Sequence, residues 1–144
     1  MTSLILTHAQ CAQLYAQLRA DAPNEMCGFI GGRDARAKKI YPIPNVAANR
    51  NTNFLMEPNA QLAALQDMDE NDYDILAIYH SHPVSPPYPS ETDLRDAWDS
   101  VLQEPLYPDS VYLILSLRNP AAPEICAYQL HNQTITEIPL SIVN

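Results

Sequence analysis

The 144-residue chain has little of what would mark several large classes of protein. It carries three cysteines, Cys11, Cys27 and Cys126, an odd number with no Cys-x-x-Cys spacing. That argues against a disulfide framework and for small buried hydrophobes in a reduced compartment. Basic residues are also scarce, eight Lys and Arg against 17 Asp and Glu, for a formal net charge of −9. Such a surface disfavours nucleic-acid backbones and anionic membranes as partners. The one basic cluster, Arg33-Asp34-Ala35-Arg36-Ala37-Lys38-Lys39, reads as a solvated loop. No apolar run approaches the roughly 20 residues of a membrane-spanning helix. Met1-Thr2-Ser3-Leu4-Ile5-Leu6 has neither a basic n-region nor a small-residue cleavage site, so no signal peptide is expected and the expected location is cytoplasmic. Internal repeats, low-complexity tracts and long linkers are absent too.

What is present is globular. Hydrophobic residues make up 47% and charged residues 17%, and the length suits a single domain over residues 1–144 with one sizeable core. Thr7-His8-Ala9-Gln10 has the form of a capping box, and Cys11, Leu14, Tyr15 and Leu18 follow at helical spacing. Cys27 to Ile30 reads as a short strand closed by Gly31-Gly32, and Lys39 to Ile43 as an edge or irregular strand because of Pro42. Residues 44–53 form an asparagine-rich loop, and Phe54 to Met56 a brief strand. Pro58 opens a second helix to about Asp69, with Leu62, Leu65 and Met68 inward. Asp74 to Ser81 is the clearest buried strand; simple alternation places Leu76, Ile78, His80 and His82 on one side. A proline-rich loop from Pro83 to Pro89 follows. A third helix starts at Ser90, with Leu94, Ala97, Trp98 and Val101 as its apolar stripe. Val111 to Leu117, Ile125 to His131 and Ile135 to Ile138 complete the strands. Helices interspersed with strands, then a run of strands, predict a mixed α/β sandwich rather than a doubly wound sheet.

The chemistry is concentrated in His80-Ser81-His82-Pro83-Val84-Ser85-Pro86-Pro87-Tyr88-Pro89-Ser90-Glu91-Thr92-Asp93. Two imidazoles at i and i+2 of a strand point the same way, and Asp93 can add a carboxylate oxygen from the next element. Two histidines, one carboxylate and room for a water form the ligand set of a catalytic zinc. The bland alternative, core-edge histidines satisfied by backbone groups, suits one histidine better than two in this setting. Ser90 and Asp93 also satisfy Ser-x-x-Asp capping, which does not exclude a second role. His8 and His131 read as structural or surface residues. Cys27 could nominally be a thiol nucleophile, but Met26 and Phe29-Ile30 around it indicate a buried strand residue.

This motif resembles the signature of the JAMM (MPN+) metallopeptidases, zinc isopeptidases that include deubiquitinases and bacterial relatives. Glu25-Met26-Cys27-Gly28 resembles the family's early glutamate, followed within a few residues by a glycine. The resemblance covers most of the chain. It implies a mixed-sheet α-β-α sandwich of the cytidine-deaminase-like type, with His80, His82 and Asp93 as Zn2+ ligands. It further implies Glu25 as general base on the attacking water and Ser90 as stabiliser of the oxyanion. Compact bacterial members process ubiquitin-like sulfur-carrier proteins, so the resemblance implies hydrolysis of an amide after such a carrier's C-terminal tail. The asparagine-rich loop would then wall the tail groove. A zinc amidase acting on small peptides and a non-catalytic scaffold are the alternatives.

Overall fold

The computed structural model describes residues 3–144. The elements are β1 (Leu4–Thr7), α1 (His8–Asp21), β2 (Cys27–Arg33), β3 (Arg36–Ile43), α2 (Pro58–Glu70), β4 (Asp74–His82) and α3 (Glu91–Asp96). There follow β5 (Trp98–Asp99), β6 (Glu104–Pro105), β7 (Val111–Ser116), β8 (Glu124–His131), β9 (Thr134–Ile138) and β10 (Leu140–Val143). Eight strands form one mixed sheet in the order β10-β1-β3-β2-β4-β7-β8-β9, while β5 and β6 make a small hairpin. The expected α-β-α sandwich is therefore the observed architecture.

One face of the sheet packs on α1, through Leu14 and Leu18 against Leu4, Leu6, Ile30, Tyr79 and Leu113. The capping box forms as the sequence implies: the Gln10 amide donates to Thr7 Oγ1 at 3.0 Å, and the Thr7 amide to Gln10 Oε1 at 2.8 Å. The other face packs on α2 and α3, through Ala64, Met68, Leu94 and Ala97 against Phe29, Ile78, Tyr112 and Ile114. Pro58 opens α2, and the Glu57 carboxylate accepts from the Asn59 and Ala60 amides at 3.0 and 2.6 Å.

Several expectations need correction. The basic run of residues 33–39 is not a loop but the end of β2 and the start of β3 around a turn at Asp34-Ala35, and Phe54 to Met56 is no strand, with Met56 alone bridging to Asn45. Leu76 does not share a face with Ile78. The β2–β4 register shifts between Ile30↔Ala77 and Gly31↔Ile75, so Leu76 is an extra residue that turns into the α1 core while Ile78 faces α2. Leu62 is exposed, because α2 buries the row Ala64–Met68, with Ala60 and Leu65 beside it. The third helix ends at Asp96 instead of running to Val101. The Asp99 carboxylate accepts from the Val101 and Leu102 amides at 2.9 and 3.1 Å, and that turn sends the chain back as the β5–β6 hairpin. Finally, β2 runs through Gly31-Gly32, and β1 and β10 are additional strands that pair with each other in parallel.

Candidate metal centre

Strand β4 lies between β2, antiparallel to it, and β7, parallel to it. Residues Leu76–His82 are buried, which explains their apolar run. The chain leaves β4 at its carboxyl end, where open α/β sheets place their sites. Its exit loop is pinned at three carbonyls. Ser116 Oγ donates to Ser85 at 2.5 Å, Tyr128 Oη to Pro87 at 2.5 Å, and His82 Nδ1 to Pro86 at 2.7 Å. The prolines restrict the unfolded loop, so less entropy is lost in holding it there. Ser90 then caps α3: its Oγ accepts from the Asp93 amide at 3.1 Å, and its own amide donates to Asp93 Oδ2 at 2.9 Å.

That cap aims Asp93 back at β4. Asp93 Oδ2 lies 3.1 Å from His80 Nε2 and 3.1 Å from His82 Nε2, and the two Nε2 atoms are 3.2 Å apart. Since a carbonyl only accepts, His82 carries its proton on Nδ1, and its Nε2 lone pair faces the other two atoms. Three mutually close electron-rich atoms cannot all be satisfied by one shared proton. A cation at their centre satisfies them together. For zinc bonds of about 2.0–2.1 Å the edge of a tetrahedron is roughly 3.3 Å, so the donor set fits such an ion. Among the described residues, His80, His82 and Asp93 form a group that could hold a metal.

The electrostatics point the same way. Burial pushes the Asp93 carboxyl up, but with no metal bound the positive charge and hydrogen bonding of the two imidazoles, His80 first, and the Ser90 amide outweigh it. They hold it well below the usual carboxylate range. Burial likewise pulls His82 down, yet the Asp93 hydrogen bond, the Pro86 carbonyl and the charges of Asp93 and Glu25 raise it overall. The site is built to hold positive charge.

Glu25 reaches the same place from the segment that leads into β2. Cys27 pairs with His80, so continuing the antiparallel register by two residues sets Glu25 across from His82. Two reciprocal contacts lock that end: the Met26 amide donates to Ser81 Oγ at 2.8 Å, and the Ser81 amide to the Met26 carbonyl at 3.1 Å. Glu25 is 6% exposed, and its carboxyl is pushed up to about 7. Burial is the main cause; the His80 and His82 charges oppose it and Asp93 adds to it. A buried carboxyl with raised proton affinity beside a candidate cation site is a group that can take up a proton there.

Several contributors were not evident in the sequence. Asn45 threads the asparagine-rich loop to Glu25. Its Nδ2 donates to the carbonyls of Glu25 and Asn53, each at 2.9 Å, and its Oδ1 accepts from the Ala47 and Leu55 amides at 3.0 and 3.1 Å. The Glu25 amide donates to the Arg50 carbonyl at 2.7 Å. The density of asparagine was a signal of loop structure, but not of which asparagine does this. Phe54 stacks on His80 with ring centroids 4.7 Å apart, fixing the imidazole plane. Gly28 serves packing: a Cβ there would lie 2.3 Å from the Tyr41 carbonyl oxygen and 2.4 Å from Tyr79 Oη. Cys27 is fully buried, its thiol donates to the Ile43 carbonyl at 3.3 Å, and burial is the first cause that pushes it up to about 12. It is no thiolate nucleophile at neutral pH. His131 lies edge-on against Trp98 at 5.8 Å, away from the cluster.

Comparison with known proteins agrees with this geometry. Residues 8–131 match the family described as prokaryotic homologs of the JAB domain, and the chain belongs to that family, a branch of the JAMM/MPN peptidases. It is 30% identical over 131 residues to the CysO-cysteine peptidase of Mycobacterium tuberculosis, covering 90% of this chain and 84% of that one. It is 34% identical over 116 residues to the desampylase of Haloferax volcanii, covering 78% and 73% of the two. In solved structures, a protein of Desulfitobacterium hafniense aligns with a TM-score of 0.81 at 31% identity, over 96% of this chain and 92% of that one. A JAB1/MPN domain protein from Archaeoglobus fulgidus shares the fold, with a TM-score of 0.61 at 14% identity over 99% and 100% of the two chains.

Proposed function

We propose that this protein is a zinc peptidase that hydrolyses the amide following the C-terminal Gly-Gly tail of a ubiquitin-like or sulfur-carrier protein. The convergence of His80 Nε2, His82 Nε2 and Asp93 Oδ2 within 3.2 Å, beside buried Glu25, carries the reading. His80, His82 and Asp93 would hold the ion, which when bound would supply Lewis-acid polarisation of the scissile carbonyl and acidify water. Glu25 takes the proton of the attacking water and delivers it to the leaving amine. Ser90 Oγ already accepts from the Asp93 amide, so its own hydrogen is available to donate to the carbonyl oxygen as negative charge develops. Relatives named for acting on CysO conjugates and as desampylases support the substrate class.

A carrier with extra residues after Gly-Gly, incubated with zinc-loaded protein and followed by intact mass, should lose those residues and end in a free Gly-Gly carboxylate. A chelator should abolish the reaction. The free tail peptide should be cut much more slowly, because binding energy from the folded carrier positions the amide. Equal rates on peptide and carrier would identify a small-peptide amidase. No turnover of either, with no zinc bound, would identify a scaffold.

A further inference from the structure

A cavity of about 360 Å³ opens directly beside the metal cluster, with His80 and Asp93 in its wall. The rest of its lining is mostly apolar: Phe29, Ile78 and Tyr112 from neighbouring strands of the sheet, with Phe54, Met56 and Ala97 from the segments around it. Most of these side chains belong to the α2–α3 core, while the half-exposed or exposed Leu55 and Leu106 lie at its open side, so the cavity is a cleft that reaches from the surface into that core. Polar groups beyond the two candidate ligands are Gln61, Asp96 and the hydroxyls of Tyr107 and Tyr112. Mostly apolar walls with few polar groups, beside a reactive centre, are the features of a side-chain pocket. For scale, an enclosed apolar cavity of ~150 Å³ already holds a benzene ring.

We propose that this pocket receives the side chain of the residue released by hydrolysis, and that it selects a bulky apolar residue such as leucine or phenylalanine. The assignment rests on the substrate reading above. On the acyl side of the scissile amide that substrate offers only Gly-Gly, which has no side chain to place. A pocket at the metal is therefore filled from the amine side. Transfer of an apolar side chain from water onto Phe29, Phe54, Ile78 and Tyr112 is favourable, whereas a carboxylate would lose hydration there and face Asp96, and an ammonium group would lose hydration for Asp96 as its one anionic partner beyond the cluster. Selectivity arises because the same burial acts on the transition state, where the leaving amine is held at the metal.

The test uses zinc-loaded protein and a ubiquitin-fold carrier ending in Gly-Gly-X, with X as Gly, Cys, Asp, Lys, Leu or Phe, and kcat/KM measured by intact mass. Leu and Phe should exceed Gly, Asp and Lys by about 10-fold or more, the scale on which apolar pockets discriminate. Ala97→Phe fills the pocket from the end of α3, and Leu106→Trp crosses its mouth from a half-exposed position. Both should bring the Leu-to-Gly ratio close to one. Should Ala97→Phe lose its cooperative thermal transition, Leu106→Trp decides alone. Cleavage of all carriers at similar rates, a preference for Lys or Asp, or an unchanged ratio in a folded filled variant overturns the pocket assignment alone. No cleavage of any carrier overturns the substrate reading and the assignment with it.

Discussion

Replacing Glu25 by glutamine should remove activity and at the same time stabilise the metal-free protein, in a way that depends on pH. The carboxyl is 6% exposed and is pushed from 4.5 to about 7, chiefly by burial. Its pKa is raised in the folded state, so between these values the folded chain binds more protons than the unfolded one. Stability therefore falls as pH rises from about 4.5 to about 7 and is level above. The full shift corresponds to about 3 kcal/mol of destabilisation at pH 8, and relaxation of the site makes about 2 kcal/mol the expected figure. Glutamine keeps the shape and cannot ionise, so Glu25→Gln escapes that loss. In urea melts of chelated protein, the variant should be the more stable by about 0.5 kcal/mol at pH 5 and by about 2 kcal/mol at pH 8. The corresponding rise in melting temperature is about 6 °C. Zinc should shrink the difference, since a nearby cation favours the ionised carboxylate. Turnover of the zinc-loaded variant should fall by about 100-fold or more, because the amide accepts no proton at neutral pH. A variant no more stable than wild type at pH 8, or a stability difference that is the same at pH 5 and pH 8, would refute the burial argument. Retained turnover would place the base elsewhere.

His80→Ala and Asp93→Ala should each sharply reduce zinc from about one ion per chain, measured by elemental analysis; full occupancy in both would refute the ligand assignment. The chelated wild type should keep a cooperative thermal transition, because its two-faced core does not depend on a metal. Asn45→Ala removes hydrogen bonds to two carbonyls and two amides around Glu25 and should cost about 1–3 kcal/mol. It should lower kcat more than it raises KM, and unchanged kinetics would mean the loop is not needed to place Glu25. Ser90→Ala should cost about 1 kcal/mol for the lost cap, together with a drop in kcat; loss of stability alone would leave Ser90 as a cap. Alkylation of native protein at Cys27 should be slow and should leave turnover intact, since the buried thiol serves packing.

The sequence by itself determined the candidate ligands and their local frame. His80 and His82 share a strand face through simple alternation, and the Ser90–Asp93 cap brings the carboxylate round within one turn, so short-range rules were sufficient for three donors. The first helix and its cap were legible for the same reason. Tertiary structure decided the rest. Glu25 joins the site only through the pairing of β2 with β4, 55 residues away at the Met26–Ser81 contact. Asn45 was one asparagine among several until the fold set its side chain between the backbone groups of Glu25, Asn53 and Leu55. The bulge at Leu76 breaks the alternation that a strand pattern assumes, because an extra residue in one strand is invisible without its partner. Trp98 and Val101 fit a helical stripe, yet the Asp99 side chain captured two amides and turned the chain, and local spacing does not report that competition. Strands β1 and β10 are four residues each and are completed by a parallel pairing between the two ends of the chain. The apolar pocket beside the cluster is likewise a property of packing, since it exists only where α2, α3 and the sheet fail to close against one another.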